Sequence, residues 1–491
     1  MRNSLSFCTE HILISNTLEA GGTMAVIEDN NIKEILYNKY IEPTRQDRKH
    51  RAGIEIEIPI VNLSGDAVDF DVVHKVTSAF MARFDMKPVG VDDNGDVYLA
   101  DNDIGDSLSY DCSYNNLELS LACADDLLHI KDRFESYYGV LQELFAEYDH
   151  TLTGMGVNPH KDVNHNIPVP NERYRMLFHH LHSYPKYKQV PMYFHHYPAF
   201  GTFASASQVQ LDVDYDDLIK TIKVFSLIEP IKALLFSNSV IPDEREDMIC
   251  VRDMFWENST HGINPHNIGM YECSFDSVDE LLNYLLSTSI YCVMRDGKYV
   301  NFEPVSFSEY LKLDSINGEY YDSEDGRYKK ITIIPEMRDI DYLRTFKFED
   351  LTYRGTIEFR SCCTQPIADS MTVGAFHLGL QKRLDQLEDL LGKDTVLYRH
   401  GYTAVELRHM FVRQKFPGYI DQNKLYDLIE RITDLASDGL RERGFGEEVL
   451  LEPLYDRIAR RSCPGLDMMR RLADGESMES LIKDYGTLNR D

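Results

Sequence analysis

Disulfide frameworks, zinc ribbons and long apolar runs are all missing from this sequence of 491 residues. Its nine cysteines are odd in number and scattered, without any C-x-x-C pair, which favours a reducing compartment. The sequence contains no run of about 18 apolar residues, the length that a helix needs to cross a bilayer. Its N-terminus lacks the basic segment, apolar segment and cleavage site of an export signal. We therefore expect a cytoplasmic location and no membrane association.

Positive charge is also scarce. Lys and Arg together number 51 and Asp and Glu 81, which gives a formal net charge of -30. Such a surface repels phosphate backbones and anionic lipid, so we expect neither nucleic acid nor membrane as a partner. It would repel a nucleotide as well, unless the binding site supplied its own cations. Any nucleotide site should therefore contain metal ions and well-placed arginines.

What the sequence does contain is apolar alternation interspersed with helical patterns. In the stretch 53–60 the isoleucines face one way and Glu55 and Glu57 the other. Neither strict βαβ alternation nor a Gly-rich turn occurs, so we predict an α+β fold around an antiparallel sheet flanked by helices. The predicted strands cover 53–60, 88–92, 96–100, 116–122, 206–213 and 355–360, and the predicted helices 127–148, 215–236 and 278–286.

The chain is expected to divide into three parts: an N-terminal extension with a first helix over 1–45, a main domain over 46–370, and a helical segment over 371–491 packed on it. Codons for the residues just before Met24 can contain a ribosome-binding sequence. We therefore expect translation to start at Met24, with Met1 as the alternative. In the last part, apolar residues at helical spacing predict one helix ending at Gly392. They are Phe376, Leu380, Leu384, Leu387 and Leu391.

Acidic residues on or beside the predicted strands are the candidates for chemistry. They are Glu55, Glu57, Asp111, Glu118 and Glu358. A buried carboxylate needs a partner, and a set of oxygen donors suits a hard cation such as magnesium. Arg360, two residues after Glu358, could balance a phosphate. For any single triplet the alternative is an ordinary strand with one wet face, and for Arg360 it is a surface salt bridge.

Six short motifs in order carry a resemblance to a known family. They are G-I-E-I-E, D-C-S-Y-N-N-L-E-L-S, Q-V-Q-L-D, L-L-F-S-N-S, V-R-D-M-F-W and T-I-E-F-R, between residues 50 and 366. Together they resemble the glutamate-cysteine ligase family. The resemblance implies a glutamine-synthetase-like fold, with 46–370 as the catalytic domain.

The resemblance also implies roles for individual residues. The five carboxylates would bind Mg²⁺, with Mn²⁺ possible, between ATP and the substrate carboxylate. Arg360 would be catalytic and would bind the nucleotide phosphate. Gln208, Arg252 and Trp256 would bind substrate, Arg252 through a bidentate pair with a carboxylate or phosphate.

The implied reaction is ATP-dependent amide formation between the γ-carboxylate of glutamate and the amine of cysteine, through a γ-glutamyl phosphate. The partners would be small molecules, and the sequence sets neither the oligomeric state nor the general base. The family usually carries a basic residue just before the position of Gln208, whereas 200–205 is uncharged here. A γ-glutamyl ligase for another amine, a non-catalytic binding protein and, more remotely, a phosphoguanidine kinase therefore remain alternatives.

A stretch rich in histidine precedes this uncharged run. It contains His179, His180, His182, His195 and His196. Their spacings match no standard metal site, so we expect them to pack in a loop or pocket rather than to bind a metal.

Overall fold

The computed structural model describes residues 29–49, 51–187, 200–241 and 247–488. The strands, in chain order, are β1 (Ala52–Asn62), β2 (Lys87–Val91), β3 (Val97–Asp101), β4 (Ser107–Ser109), β5 (Asn116–Ala124), β6 (His150–Leu152), β7 (Ser207–Asp212), β8 (Ile268–Gly269), β9 (Ser289–Arg295), β10 (Lys298–Ser306), β11 (Ile316–Asp322), β12 (Arg327–Ile333), β13 (Phe346–Lys347), β14 (Glu349–Leu351) and β15 (Thr356–Phe359).

The helices are α1 (Asp29–Leu36), α2 (Phe70–Phe84), α3 (Leu127–Ala146), α4 (Glu172–His182), α5 (Leu218–Phe236), α6 (Val251–Glu257), α7 (Val278–Ser287), α8 (Phe307–Tyr310), α9 (Thr372–Lys382), α10 (Leu384–Gly392), α11 (Ala404–Phe411), α12 (Gln422–Arg443), α13 (Glu452–Arg460), α14 (Pro464–Ala473) and α15 (Met478–Tyr485). None of the helices in the described ranges is long and apolar enough to cross a membrane.

The main sheet has nine strands in the order β14-β15-β7-β1-β5-β4-β3-β2, with β6 also paired to β1. Every pairing in it is antiparallel. Helices of the C-terminal segment pack beside it, and α9 contacts both β7 and β1. The predicted α+β class with an antiparallel sheet and C-terminal helices is confirmed, whereas the division at residues 45 and 370 stays a prediction.

Strand β1 lies between β7 and β5 in the sheet, and its alternating sequence gives it one apolar face. Ile54, Ile56 and Ile58 are buried in the main core, and burying each contributes about 1.5–3 kcal/mol. The opposite face of the strand carries Glu55 and Glu57. The apolar face thus anchors the strand and leaves the two carboxylates on the other side.

A second sheet was not predicted from the sequence. It has four antiparallel strands in the order β12-β11-β10-β9. Strand β12 reads R-Y-K-K-I-T-I and has only its last residue buried, so polar residues interrupt the apolar alternation on which strand prediction depends. The pairing of β11 with β12 supplies the regularity that the sequence does not show.

The prediction of one helix through Leu391 is wrong. Helix α9 ends at Lys382 and α10 begins at Leu384, with Arg383 between them in a non-helical conformation. Both helices bury their apolar residues in the same core, so the apolar period continues across the break. Periodicity therefore could not reveal where the first helix stops.

Candidate active site

The predicted site residues that lie on strands are on the face of the main sheet away from the isoleucines of β1. The register sets Glu57 opposite Glu118 across β1 and β5, and Glu358 opposite Gln210 across β15 and β7. Alternate residues of a strand share a face, so neighbouring strands bring carboxylates from distant parts of the chain to one surface.

Three carboxylates form the tightest group. One oxygen each of Glu57, Asp111 and Glu118 lies within 4.8 Å of the other two. The pKa of Glu57 is raised to about 8, chiefly by burial and also by repulsion from Glu118 and Asp111, although Arg252 and the backbone N–H of Ala206 act to lower it. The charged form of Glu57 therefore lacks sufficient compensation from the protein alone.

Neutral donors orient these carboxylates. Gln208 Nε2 donates to Glu57 Oε1 at 3.0 Å, and Gln210 Nε2 donates to Glu55 Oε1 at 2.9 Å. The hydroxyl of Ser120 donates to Glu118 Oε1 at 2.9 Å. Amides and hydroxyls fix the direction of a carboxylate oxygen without cancelling its charge. The carboxylates therefore remain available as anionic ligands.

Glu55, Glu358 and Arg360 form the neighbouring group. Arg360 Nη1 lies 2.7 Å from Glu358 Oε1. Burial raises the pKa of Glu55 well above its usual range, and Glu358 and Glu118 raise it further. Burial by itself would lower the pKa of Arg360, but Glu358 and Asp350 raise it. The guanidinium therefore keeps its charge beside the carboxylates.

Two compartments meet at these residues. The inner compartment has an apolar wall that includes Met176, Trp256 and Tyr291, and the outer compartment is lined by Tyr98, Tyr299, Arg354 and the Glu55–Glu358 pair. Among the residues that line both compartments are Asp111, Glu118, Gln208 and Arg360. A molecule in each compartment would thus reach the same charged residues.

The predicted substrate-binding residues border the inner compartment. Arg252 is buried in α6, and its Nε has no hydrogen-bond partner within the described part of the chain; the same holds for Gln208 Oε1. The indole of Trp256 stacks on Phe346 with ring centroids 5.9 Å apart. A Cβ on Gly201 would lie 3.2 Å from that indole, so the uncharged segment before Gln208 packs directly on the compartment wall.

Three of the predicted histidines fall in the described residues. His179 Nε2 pairs with Glu319 at 2.9 Å, the buried ring of His180 stacks on Tyr291 at 3.8 Å, and His182 Nδ1 bonds to the Phe178 carbonyl. Within the described residues, the one group arranged to hold a metal ion consists of Glu57, Asp111 and Glu118. His195 and His196 lie outside the described residues, as does Met24.

Sequence reasoning missed other charged residues at the site. The pKa of Asp350 is raised to about 6, chiefly by burial and also by Glu358, although Arg360 acts to lower it. Arg354 Nη2 donates to Gln210 Oε1 at 2.7 Å. Asp350 and Arg354 both line the outer compartment, yet neither lies in a motif or alternates with apolar residues, so only the fold identifies them.

The donor set fits a hard divalent cation. It consists of carboxylate oxygens that are held in place by neutral donors and whose ionisation is disfavoured in the protein alone. Magnesium prefers oxygen ligands of this kind, and a bound cation would restore their charged forms.

Comparisons with known proteins agree on one family. A family model described as "Glutamate-cysteine ligase family 2(GCS2)" matches residues 51–484. The chloroplastic glutamate–cysteine ligase of Medicago truncatula is 26% identical over 263 residues, covering 51% of this chain and 47% of that protein. This match therefore spans about half the length of the Medicago protein.

Two further similarities cover more of the chain. Chloroplastic glutamate–cysteine ligase A of Oryza sativa subsp. japonica is 23% identical over 394 residues, covering 77% of this chain and 72% of the rice protein. A crystal structure of glutamate–cysteine ligase from Francisella tularensis in complex with AMP has 12% identity and a TM-score of 0.49, covering 90% of this chain and 88% of that one.

Proposed function

Since the chain belongs to glutamate-cysteine ligase family 2, we propose that it is a carboxylate–amine ligase that uses ATP to couple the γ-carboxylate of glutamate to the amine of cysteine. The observation that carries the proposal is the meeting of two compartments at Asp111, Glu118 and Arg360. A ligase of this type must bring a nucleotide phosphate and an amino-acid carboxylate to one point.

The reaction has two steps. The γ-carboxylate oxygen attacks the γ-phosphorus of ATP, so a new O–P bond forms while the bond to the β,γ-bridging oxygen breaks and ADP leaves. The amine then attacks the acyl carbonyl, phosphate leaves with the C–O bonding electrons, and the amine proton passes to a base. The net products are the amide, ADP and phosphate.

Arginines supply the charge that the chain itself can offer. The first step brings two anions together, and positive donors near the transferring phosphoryl oxygens lower that barrier. Arg360 lies where the two compartments meet and would bind the phosphoryl oxygens. Arg252, with its unpartnered Nε, would hold a substrate carboxylate by a bidentate pair.

The carboxylates would hold the metal. In this proposal Glu55, Glu57, Asp111, Glu118 and Glu358 bind Mg²⁺, or Mn²⁺ in its place. The ion would neutralise phosphate charge. Gln208 and Gln210 would keep Glu57 and Glu55 pointed toward it.

A second candidate differs only in the acceptor. The segment before Gln208 is uncharged, and the inner compartment is bordered by Met176, Trp256 and Tyr291. A charged protein residue before Gln208 would select an acceptor amine with a polar side chain. The uncharged segment and the apolar wall instead favour an acceptor with a less polar side chain. A γ-glutamyl ligase for another amino acid is therefore the alternative.

The deciding experiment is mass spectrometry of the products formed from ATP, Mg²⁺, glutamate and a mixture of amino acids. We expect γ-glutamylcysteine, with ADP formed only when both glutamate and an amine are present. A different γ-glutamyl amide would support the second candidate. No ADP and no amide, from protein that melts cooperatively, would refute the ligase and favour a binding protein. Glu118→Gln protein, prepared in parallel, is the control for contaminating activity.

A further inference from the structure

Helix α11 places a buried arginine directly behind the site. Arg408 is 1% exposed and lies beyond the six motifs. Its Nε donates to Asp253 Oδ2 at 2.8 Å and its Nη2 to Asp253 Oδ1 at 3.1 Å. This is a two-point fork, the geometry in which an arginine fixes both the position and the orientation of a carboxylate.

The same guanidinium also holds the chain that follows β15. Its Nη2 donates to the carbonyl of Ser361 at 3.3 Å, and its Nη1 donates to Glu229 Oε2 at 2.7 Å. Glu229 in turn accepts from the Ser361 hydroxyl at 2.9 Å. Ser361 is therefore fixed at its backbone and at its side chain.

Two of the residues that Arg408 holds, Asp253 and Ser361, are direct neighbours of Arg252 and Arg360. Asp253 follows Arg252 in α6, and Ser361 follows Arg360 after β15. Arg252 and Arg360 both line the inner compartment. One side chain therefore ties together the two chain segments that carry these cations, although they are more than a hundred residues apart in sequence.

Burial makes this tie stiff. Arg408, Asp253 and Glu229 are each at most 3% exposed, so water is not available to replace a bond that breaks. Removing one partner of a buried, bonded ion pair leaves the other charge uncompensated. The arrangement thus disfavours any change in the spacing of α6 and the segment after β15.

We propose that Arg408 is a positioning residue, which sets the separation of Arg252 and Arg360 so that substrate carboxylate and transferring phosphoryl group are held in reactive geometry. The inference rests on the proposed function. Displacement of reacting groups by about 1 Å can cost a factor of about 100 in rate, so a small shift in this tie is sufficient.

The test compares Arg408→Lys with Arg457→Lys. Arg457 is equally buried, at 2% exposed, and donates to the Leu235 carbonyl, Gln365 Oε1 and Asp369 Oδ2 at 2.8–2.9 Å, but none of these residues adjoins Arg252 or Arg360. Lysine keeps the charge and loses the fork. We expect both variants to melt at lower temperature, whereas kcat/KM falls about 100-fold only in Arg408→Lys.

A structural role and a positioning role separate in the kinetics. Lost positioning should raise KM for glutamate through Arg252 and lower kcat through Arg360, whereas partial unfolding lowers the active fraction without changing KM. In an Arg252→Lys background, the further effect of Arg408→Lys on KM should shrink, because coupled residues are not additive. Equal effects in both backgrounds would overturn the proposal.

A milder variant decides the matter if Arg408→Lys does not fold. Ser361→Ala removes only the hydroxyl bond to Glu229 and should still lower kcat, whereas Ser237→Ala, which removes a buried bond to the Ala233 carbonyl, should not. Equal kcat in the two alanine variants, or in the two folded lysine variants, refutes the positioning role alone. Absence of ATP turnover in the wild type would instead refute the proposed function and, with it, this role.

Discussion

The carboxyl group of Glu57 lies where its charged form is disfavoured by burial and by two acidic neighbours. Burial and these neighbours raise its pKa in the folded protein from the ordinary value of 4.5 to about 8. Between those values the folded state binds more protons than the unfolded state, so the contribution of this group to stability is present at low pH and is lost as the pH rises toward 8.

Glutamine at position 57 cannot ionise and should escape this loss. In chelator, we expect the melting temperature of Glu57→Gln to rise relative to wild type as the pH is raised from 5 to 8. Glu479→Gln is the control, because Lys483 lowers the pKa of Glu479, so this carboxylate is charged in the folded and unfolded states across this range and its removal should add no dependence on pH. If the difference in melting temperature between wild type and Glu57→Gln stays constant across this pH range, the raised pKa of Glu57 is contradicted.

The contribution of Arg360 to turnover should depend on the geometry of its guanidinium group and not only on its charge. Arg360→Lys retains a cation near Glu358 but cannot donate in a planar fork, so we expect turnover to fall about 100-fold or more with folding intact. Arg460→Lys is the control, since Arg460 pairs with Asp456 and Asp467 in the C-terminal helices. Wild-type turnover in Arg360→Lys would reassign Arg360 to a structural salt bridge.

The negative charge of Glu358 should be more important to the protein than the volume that its side chain fills. Glutamine has nearly the same volume, so Glu358→Gln leaves no large cavity but removes one anionic ligand. We expect turnover to be abolished at little cost in stability, because Asp350 still compensates the charge of Arg360. The stabilisation of the protein by Mg²⁺ and ATP should shrink. Full activity with unchanged stabilisation in melting curves would remove Glu358 from the site.

At the scale of the elements, helices α9 and α12 approach each other closely at two glycines. A Cβ on Gly379 would lie 2.2 Å from the Ala436 carbonyl oxygen, and one on Gly439 would lie 2.1 Å from the Gly379 carbonyl oxygen. These glycines let the two helix backbones touch. The contact holds α9 next to β7 and β1, which carry Gln208 and the first two glutamates.

This contact predicts opposite effects for two helical glycines. Gly379→Ala should destabilise the fold by about 1–3 kcal/mol, because the added methyl group must push the helices apart. Gly139→Ala in α3 should gain about 0.5–1 kcal/mol from helix propensity, because the nearest atom would lie 4.0 Å away. Urea unfolding at equilibrium measures both, and a gain in Gly379→Ala would show that the helices separate freely.

At the scale of the whole molecule, a net charge of -30 and acidic groups at the site both oppose nucleotide binding. We expect ATP with Mg²⁺ to raise the melting temperature, by the equivalent of about 2.7 kcal/mol at one hundred times its Kd. ATP with chelator should raise it much less, since the carboxylates then repel the phosphates. Equal stabilisation in both conditions would indicate that arginines alone hold the nucleotide.

The sequence by itself determined the strands that carry the candidate site residues. Alternation placed Glu55 and Glu57 together on one face of β1, because the side-chain period of a strand is two and does not depend on tertiary context. The order of the motifs indicated the family to which the chain belongs. These features are local or ordered along the chain, so they can be recognised without coordinates.

Only the tertiary structure decided which strands are neighbours and what lies behind them. The register that sets Glu57 opposite Glu118, the break at Arg383 and the second sheet depend on contacts between segments distant in sequence. The tie from Arg408 to Asp253 and Ser361 has no periodicity or motif. Such pairings are selected by burial and by compensation of buried charge across the whole fold, which no single segment encodes.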